Sequence, residues 1–247
     1  MAYESYFLMD ASDVPAYVQE KIQYFDKGAK LESKEIGDGN LNYVFRVSDP
    51  LSGKSIIVKQ AGPELRIAKS LHASIDRGRI ESEILRIQEE CSPDSVPHVY
   101  LYDPVMKAII EEDMINHTMM RTALLSYETF PLFADQITTF MVNSLLKTTD
   151  VCMEHKAKKK SVRSFINPEL CEISEDLVFS EPFFDYNHRN NVFPPNEDFV
   201  KKELYEDDEL HLEAAKLKFE FMNHAQSLIH GDLHTGSIFI NQEHTFA

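Results

Sequence analysis

A succession of short strand-like runs and turns between residues 30 and 61 limits most strongly what this chain can fold into. YVFRV (43–47) and SIIVK (55–59) are rich in β-branched and aromatic residues, which favour strands. The intervening DPLSG (49–53) is typical of a hairpin turn, and a glycine-containing turn precedes the first run. Strands joined by so short a turn run antiparallel. The sequence therefore predicts an antiparallel sheet early in the chain.

Apolar residues recur at helical spacing in four places, which predicts four helices. These helices cover residues 16–25, 76–91, 132–153 and 209–230. In the last of them the apolar positions follow at steps of four, three and four: Leu210, Ala214, Leu217 and Phe221. Two more strands are predicted at 98–103 and 107–113, and a loop at 180–199. A β-rich part followed by a helical part, with the junction near 111–118, predicts an α+β fold.

The charge and composition of the chain argue against several classes of function. Its 247 residues have a formal net charge of −16, which disfavours a nucleic-acid binder because phosphate contacts need clustered Lys and Arg. The basic run at 156–163 is interpreted as a solvated surface stretch. No apolar stretch reaches the ~18 residues of a membrane span, and we expect neither a membrane partner nor a signal peptide. Three widely spaced cysteines predict reduced thiols in the cytoplasm: Cys91, Cys152 and Cys171.

Three features of the first half of the chain fit a site for a nucleotide phosphate. In GDGNLNYVF (37–45), glycines on both sides of Asp38 allow backbone N–H groups to approach an anion, although an ordinary hairpin turn explains the same residues. Lys59 ends an apolar strand, where its ammonium could reach a phosphate or simply extend to the surface. Glu81, on the next predicted helix, could pair with Lys59, with Glu83 as a competing candidate.

Two further stretches suggest where a purine and a phosphate acceptor would bind. AIIEEDM (108–114) runs from a strand into the junction and could present backbone groups to a purine edge, although acidic turns after strands are common. In LIHGDLHTGSIF (228–239), Asp232 is a carboxylate of the kind that takes a proton from an acceptor hydroxyl. Gly231 permits a tight turn, and His230 is expected to fix the loop by hydrogen bonds. His234 could either fix the loop or take part in the chemistry. Metal ligation is disfavoured because no further ligands lie nearby.

Taken together, these motifs carry a resemblance to a known family. EIGDGNLNYVFRV, IIVKQA, RIESEIL, NPELCEIS and LIHGDLHTGSIF closely resemble the 5-methylthioribose kinases, in the aminoglycoside- and choline-kinase-like branch of the protein-kinase-like fold. The resemblance extends from about residue 35 to residue 240. General members of this branch have Asn five positions after the catalytic Asp. This chain has Ser237 there, which is typical of the narrower family.

The resemblance implies a protein-kinase-like bilobal fold and a reaction. The β-rich, nucleotide-binding N-lobe would cover residues 1–116, and an incomplete helical C-lobe with the catalytic loop would cover 117–247. Asp232 would be the catalytic aspartate and would contact and activate the 1-hydroxyl of S-methyl-5-thioribose in methionine salvage. ATP, with Mg²⁺, would be the phosphate donor, and the family's proteins are homodimers. The implied ATP contacts are Gly37, Gly39, Asn40, Lys59, Glu81, Glu112, Asp113 and Met114.

One family motif has no counterpart in this sequence. The family continues after the catalytic loop with an Asp-x-Glu motif whose carboxylates bind Mg²⁺, and no such motif follows Asp232. The metal ligands are therefore unassigned, and we expect a C-terminally truncated kinase that does not phosphorylate the sugar at a useful rate by itself. An inactive nucleotide-binding remnant is one alternative. A related kinase for another small-molecule hydroxyl, such as an aminosugar or choline, is another, which Ser237 disfavours.

Overall fold

The computed structural model describes residues 3–36, 42–62 and 74–247. Packing divides the chain into two compact units. The first comprises Met1–Lys158 together with Ser227–Ala247, and the second comprises Lys159–Gln226. These units are defined by contacts, and the predicted boundary between lobes at residue 116 stays a prediction. In the part of the chain that the structure describes, no helix is long and apolar enough to span a membrane.

A five-stranded antiparallel sheet dominates the described residues of the first unit, and its order is β1-β2-β3-β5-β4. Its strands are β1 (Glu32–Glu35), β2 (Asn42–Ser48), β3 (Ser55–Ala61), β4 (Val99–Asp103) and β5 (Ala108–Glu112). The predicted hairpin is confirmed, since β2 pairs with β3 from Asn42 opposite Ala61 to Ser48 opposite Ser55. The α+β class is confirmed as well. This sheet is the one that a protein-kinase-like N-lobe requires.

Helices and a small second sheet complete the first unit. The helices are α1 (Val14–Lys21), α2 (Arg77–Cys91), α3 (Met120–Leu125) and α4 (Phe133–Lys147), and α5 (His155–Phe165) runs across the boundary between units. The small sheet consists of β6 (Thr118–Met119), β7 (Phe239–Ile240) and β8 (Thr245–Phe246), paired in that order. Because β6 pairs with β7, the chain that precedes β7 is brought beside the start of α3.

The second unit is helical. It contains α6 (Pro168–Leu177), α7 (Glu197–Val200) and α8 (Asp208–Asn223), with a 3₁₀ turn at Pro194–Asn196 and a π-helical turn at Lys201–Tyr205. Side-chain caps begin two of these helices: Asn167 accepts the N–H of Leu170 (3.3 Å) and Asp207 accepts that of Leu210 (2.9 Å). The predicted loop at 180–199 is mostly turns, although the short α7 begins within it.

Several predicted helix ends are wrong. The helix predicted at 132–153 ends at Lys147. The ammonium of Lys158 donates a hydrogen bond to the Thr148 carbonyl at 2.7 Å and so caps the helix. Lys158 is buried, so the basic run is a helix with one inward lysine and not wholly a solvated stretch. The helix predicted at 16–25 begins at Val14 and ends at Lys21.

The prediction for the last helix is also partly wrong. It ends at Asn223, and residues 224–230 are not helical. Of its predicted apolar face, Ala214 is buried but Leu217 is 61% exposed. The spacing of apolar residues therefore located the helix without identifying which residues it buries. The three cysteines are unpaired, as predicted.

The two faces of the large sheet pack against different elements, because successive side chains of a strand point to opposite faces. One face packs on the N-terminal segment and α1, through alternate residues such as Phe45, Val58 and Ile110. The opposite face includes Ile109, which packs with Leu85 of α2. By the same alternation, residues 59 and 111 lie on the face that α2 covers. The strand register thus places Lys59 and Glu111 beneath this helix.

The side chain of Gln60 fixes the N-terminal segment to the sheet. Gln60 is fully buried, and its amide donates to the carbonyls of Phe7 (2.8 Å) and Met106 (2.9 Å). Its carbonyl accepts the N–H of Met9 at 2.9 Å. All three partners are backbone groups, which must find hydrogen bonds when they are buried.

We expect Gln60→Leu to lower the free energy of unfolding by about 3 kcal/mol, because three backbone groups lose their partner. Urea unfolding followed by circular dichroism measures the change. Gln19→Leu is the matched control, since Gln19 is exposed and donates only to the Ala29 carbonyl at 3.0 Å. Equal effects of the two substitutions would show that the Gln60 bonds do not hold the segment.

A second prediction concerns His117, whose ring packs edge-on against Phe246 at 5.0 Å. Both ring nitrogens are buried and have no hydrogen-bond partner within the described residues. Burial lowers the pKa of His117, His244 lowers it further, and Glu112 opposes the shift. The unfolded chain therefore binds this proton more readily, and stability falls as the pH falls below about 6.5.

We expect His117→Phe to flatten the decline of melting temperature between pH 7 and pH 5, and to stabilise the protein at pH 7 by removing two unpaired polar atoms. Thermal unfolding at each pH measures both effects. His117→Gln is the control, because it removes the titration but keeps polar atoms in the site. An unchanged pH dependence in both variants would exclude His117 as its source.

Candidate active site

Lys59 lies between two carboxylates beneath α2. Its Nζ is 3.0 Å from Oε1 of Glu81, on α2, and 2.8 Å from Oε1 of Glu111, on β5. The predicted pairing of Lys59 with Glu81 is therefore present in the structure. Glu83, the competing candidate, instead pairs with Arg79 at 3.0 Å.

Burial and charge act against each other in this cluster. Burial lowers the pKa of Lys59, but the carboxylates of Glu111 and Glu81 outweigh it and raise that pKa above the ordinary range for lysine. Burial raises the pKa of Glu111, Lys59 lowers it and Glu81 raises it again. Lys59 is therefore a fixed cation at neutral pH, in a setting where a phosphate could be bound.

Two residues that the sequence did not identify support Glu81. The Asn42 amide lies 3.4 Å from Oε2 of Glu81, and the guanidinium of Arg77 donates to Oδ1 of Asn42 at 3.0 Å. Arg77 is buried and also donates to the carbonyl of Gly62 at 3.0 Å. An arginine in the first turn of α2, facing the sheet, gave no signal that would separate it from a solvated helix residue.

The segment that follows β5 is held to the sheet by an ion pair. Asp113 accepts two hydrogen bonds from Arg46 of β2, at 2.7 and 3.0 Å, and its side chain is only 2% exposed. The N–H of Glu112 donates to the His98 carbonyl at 2.9 Å, and the Met114 carbonyl accepts the N–H of His117 at 2.9 Å. Asp113 thus fixes the position of this segment, while its predicted contact with a purine stays a prediction.

The loop that contains Asp232 is anchored on both sides. The N–H of Met120 donates to the Ile238 carbonyl and that of Arg121 to the Thr235 carbonyl, both at 2.8 Å. Gly231 has φ = +90°, a conformation that side chains disfavour, so a glycine belongs at this turn. A Cβ on Gly236 would lie 2.6 Å from the Arg121 guanidinium, which shows how closely that side chain approaches the loop.

Two histidines flank Asp232 and organise its loop. Nδ1 of His230 accepts the N–H of Asp232 at 3.2 Å, and Nδ1 of His234 accepts the N–H of Gly236 at 2.8 Å. With Nδ1 as acceptor, the neutral His234 ring holds its proton on Nε2, which lies 3.3 Å from Oδ1 of Asp232. The Asp232 side chain is 75% exposed, so a substrate hydroxyl could reach it.

His230 connects the loop electrostatically to the lysine cluster. Burial is the main reason that the pKa of His230 is lowered. Among the surrounding charges, Asp232 and Glu81 raise this pKa, whereas Lys59 and His234 lower it. Asp232 and Lys59, far apart in sequence, both belong to the first unit.

The described residues do not form a metal site of their own. No group of three or more His, Cys, Asp or Glu side chains in residues 3–36, 42–62 and 74–247 could hold a metal ion. The donors present therefore do not fit a metal held by the protein alone.

The predicted phosphate contacts Gly37, Gly39 and Asn40 lie outside the described residues.

The chain is similar in sequence to known kinases. No family model matches the chain. It is 43% identical over 226 residues to a methylthioribose kinase of Geobacillus sp. (strain WCH70), covering 91% of this chain and 56% of the relative. A methylthioribose kinase of Bacillus cereus (strain ATCC 10987 / NRS 248) is 39% identical over 241 residues, 97% of this chain and 60% of the relative.

A solved structure, an ethanolamine kinase of Plasmodium vivax, matches 86% of this chain and 53% of its own, with 15% identity and a TM-score of 0.44. At this TM-score the solved structure carries no weight, so the relationship rests on the sequence relatives. The chain is a homologue of methylthioribose kinases, and the resemblance found in its motifs is confirmed. It spans somewhat more than half the length of the relatives that it matches.

Proposed function

We propose that this chain provides the nucleotide site and the catalytic aspartate of an ATP-dependent kinase that phosphorylates the 1-hydroxyl of S-methyl-5-thioribose, a step of methionine salvage. The observation that best supports the chemistry is the charged Lys59, held on a buried sheet face in the same region as the exposed carboxylate of Asp232. The names of the relatives support the choice of sugar.

In this proposal the 1-hydroxyl gives its proton to a carboxylate oxygen of Asp232. The hydroxyl oxygen then attacks the γ-phosphorus of ATP, and the bond from that phosphorus to the β–γ bridging oxygen breaks to release ADP. His234 lies beside Oδ1 of Asp232 and would help to orient this carboxylate, while the N–H of Gly236 donates to Nδ1 of His234. Such positioned proton transfer contributes about 10²–10⁴-fold to rate.

The remaining contacts concern the nucleotide. Lys59 would bind the α- and β-phosphates, and Glu81 would help to orient it. The loop with Gly37, Gly39 and Asn40 would cover the phosphates, and the backbone of residues 112–114 would bind adenine. Mg²⁺ would accompany ATP and offset the negative charge of its phosphates. We further propose a cytoplasmic protein that forms a homodimer and binds neither nucleic acid nor membrane.

Binding of a fluorescent ATP analogue to the 247-residue chain tests the nucleotide site. We expect Lys59→Ala to weaken binding at least about tenfold, because a charge-assisted contact to phosphate is lost. Lys54→Ala is the matched control: Lys54 belongs to the same hairpin but is exposed, 3.6 Å from Asp26. Unchanged affinity in Lys59→Ala would remove Lys59 from the nucleotide site.

A chimera tests the catalytic role of Asp232. Residues 1–247 are joined to the part of the Geobacillus sp. kinase that follows the matched region, and sugar-dependent ADP formation is measured. We expect Asp232→Asn to lower turnover about 10²–10⁴-fold with little change in affinity for ATP, because the carboxylate is lost while the nucleotide contacts remain. The exposed Asp150→Asn is the control.

Two outcomes of the chimera assay would contradict the proposal. Near-normal turnover by Asp232→Asn would show that another group accepts the proton. Faster phosphorylation of choline or an aminosugar than of methylthioribose would show that the chain belongs to a kinase for another hydroxyl.

A further inference from the structure

We infer that Glu111, and not Glu81, is the main anchor of Lys59, so that β5 provides the positioning residue of the lysine. The family resemblance implies an orienting role for the carboxylate on the helix. The geometry of the cluster points instead to a carboxylate on the neighbouring strand, to which the resemblance assigns no role.

Distance and burial both favour the strand carboxylate. Glu111 lies 2.8 Å from Nζ of Lys59 and its side chain is 4% exposed, whereas Glu81 lies 3.0 Å away and is 32% exposed. Attraction between charges at nearly equal distance grows as the surroundings lose water. An ion pair that remains partly in water is weakened by solvent screening. The Glu111 carboxylate therefore holds the ammonium more strongly than the Glu81 carboxylate does.

The secondary-structure elements that carry the two carboxylates also favour Glu111 as the anchor. Glu111 lies on β5, which pairs directly with the strand of Lys59 and places Ile109 opposite the lysine. The pair therefore spans adjacent strands of one hydrogen-bonded sheet. Glu81 reaches Lys59 from a helix packed on that sheet, and its other oxygen has only a 3.4 Å contact with Asn42. Movement of α2 would shift Glu81, whereas the sheet keeps Glu111 in place.

The buried position of the Glu111 carboxylate is explained by its pairing with Lys59. Its second oxygen, Oε2, is buried without a hydrogen-bond partner among the described residues. A buried carboxylate costs stability unless it is paired, and apolar side chains at such positions are often as stable. Lys59 is the described cation that Glu111 contacts. Placement of the lysine therefore accounts for a charged side chain at a buried position of β5.

This arrangement would also define what Lys59 can offer a ligand. A lysine ammonium has three N–H donors, and the two carboxylates take two of them. Among the described residues the third has no further partner, so it could bind an anion in a direction that the two carboxylates set. The benefit for nucleotide binding rests on the proposed function, whereas the placement of the lysine does not.

Amine labelling of the 247-residue chain tests the placement without relying on activity. Trinitrobenzenesulfonate reacts with the neutral amine, so the rate of labelling at Lys59, followed by peptide mass spectrometry between pH 8 and pH 10, reports its pKa. Removal of a carboxylate that raises this pKa should speed labelling, by about tenfold for each pKa unit lost. We expect about a tenfold increase in Glu111→Gln and about a twofold increase in Glu81→Gln.

Lys59→Arg identifies labelling from other lysines, and Glu83→Gln is the control on α2, because Glu83 pairs with Arg79. An increase in Glu81→Gln equal to or greater than that in Glu111→Gln would overturn the inference. If the labelling order holds but neither variant changes the affinity for a fluorescent ATP analogue, the placement stands and the proposed role of Lys59 in nucleotide binding fails.

A double substitution covers the case in which Glu111→Gln does not fold. Lys59→Met combined with Glu111→Gln removes both charges of the pair. If Glu111 serves Lys59, urea unfolding should show that this pair of substitutions couples more strongly than Lys59→Met with Glu81→Gln. If Glu111→Gln unfolds the chain and Lys59→Met fails to restore it, Glu111 is needed for folding independently of the lysine, and the inference is wrong.

Discussion

The ion cluster around Lys59 is the constraint on which the candidate site depends. A lysine and a glutamate, both on the face of the sheet that α2 covers, are tolerated there because each neutralises the other. Strand alternation decides this placement: a register shift of one residue between β3 and β5 would move Glu111 to the opposite face of the sheet and separate the two charges. The site and the core are therefore specified by the same strand pairing.

The position of the loop that contains Asp232 depends on the small sheet, which joins distant parts of the chain. Pairing of Thr118 with Ile240 holds the residues before β7 next to α3, and backbone bonds from Met120 and Arg121 fix the loop itself. Asp232 is exposed on a turn that these backbone bonds anchor.

The sequence predicted what depends on local patterns and missed what depends on distant contacts. The strands of the large sheet, the hairpin and the pair between Lys59 and Glu81 followed from periodicity and motif order, whereas the small sheet was not predicted. The end of α4 did not, because it requires Lys158 to cap Thr148. Nor did Glu111, since a glutamate near a strand end is indistinguishable from an exposed one until the register is known. The site roles assigned by resemblance stay predictions.

The most direct measurement of the central claim is a crystal structure of the 247-residue chain with a non-hydrolysable ATP analogue. We expect an oxygen of the α- or β-phosphate within about 3 Å of Nζ of Lys59, with that nitrogen still bound to Glu111. A nucleotide bound away from Lys59, or a lysine that leaves Glu111 and remains on Glu81 alone, would contradict it.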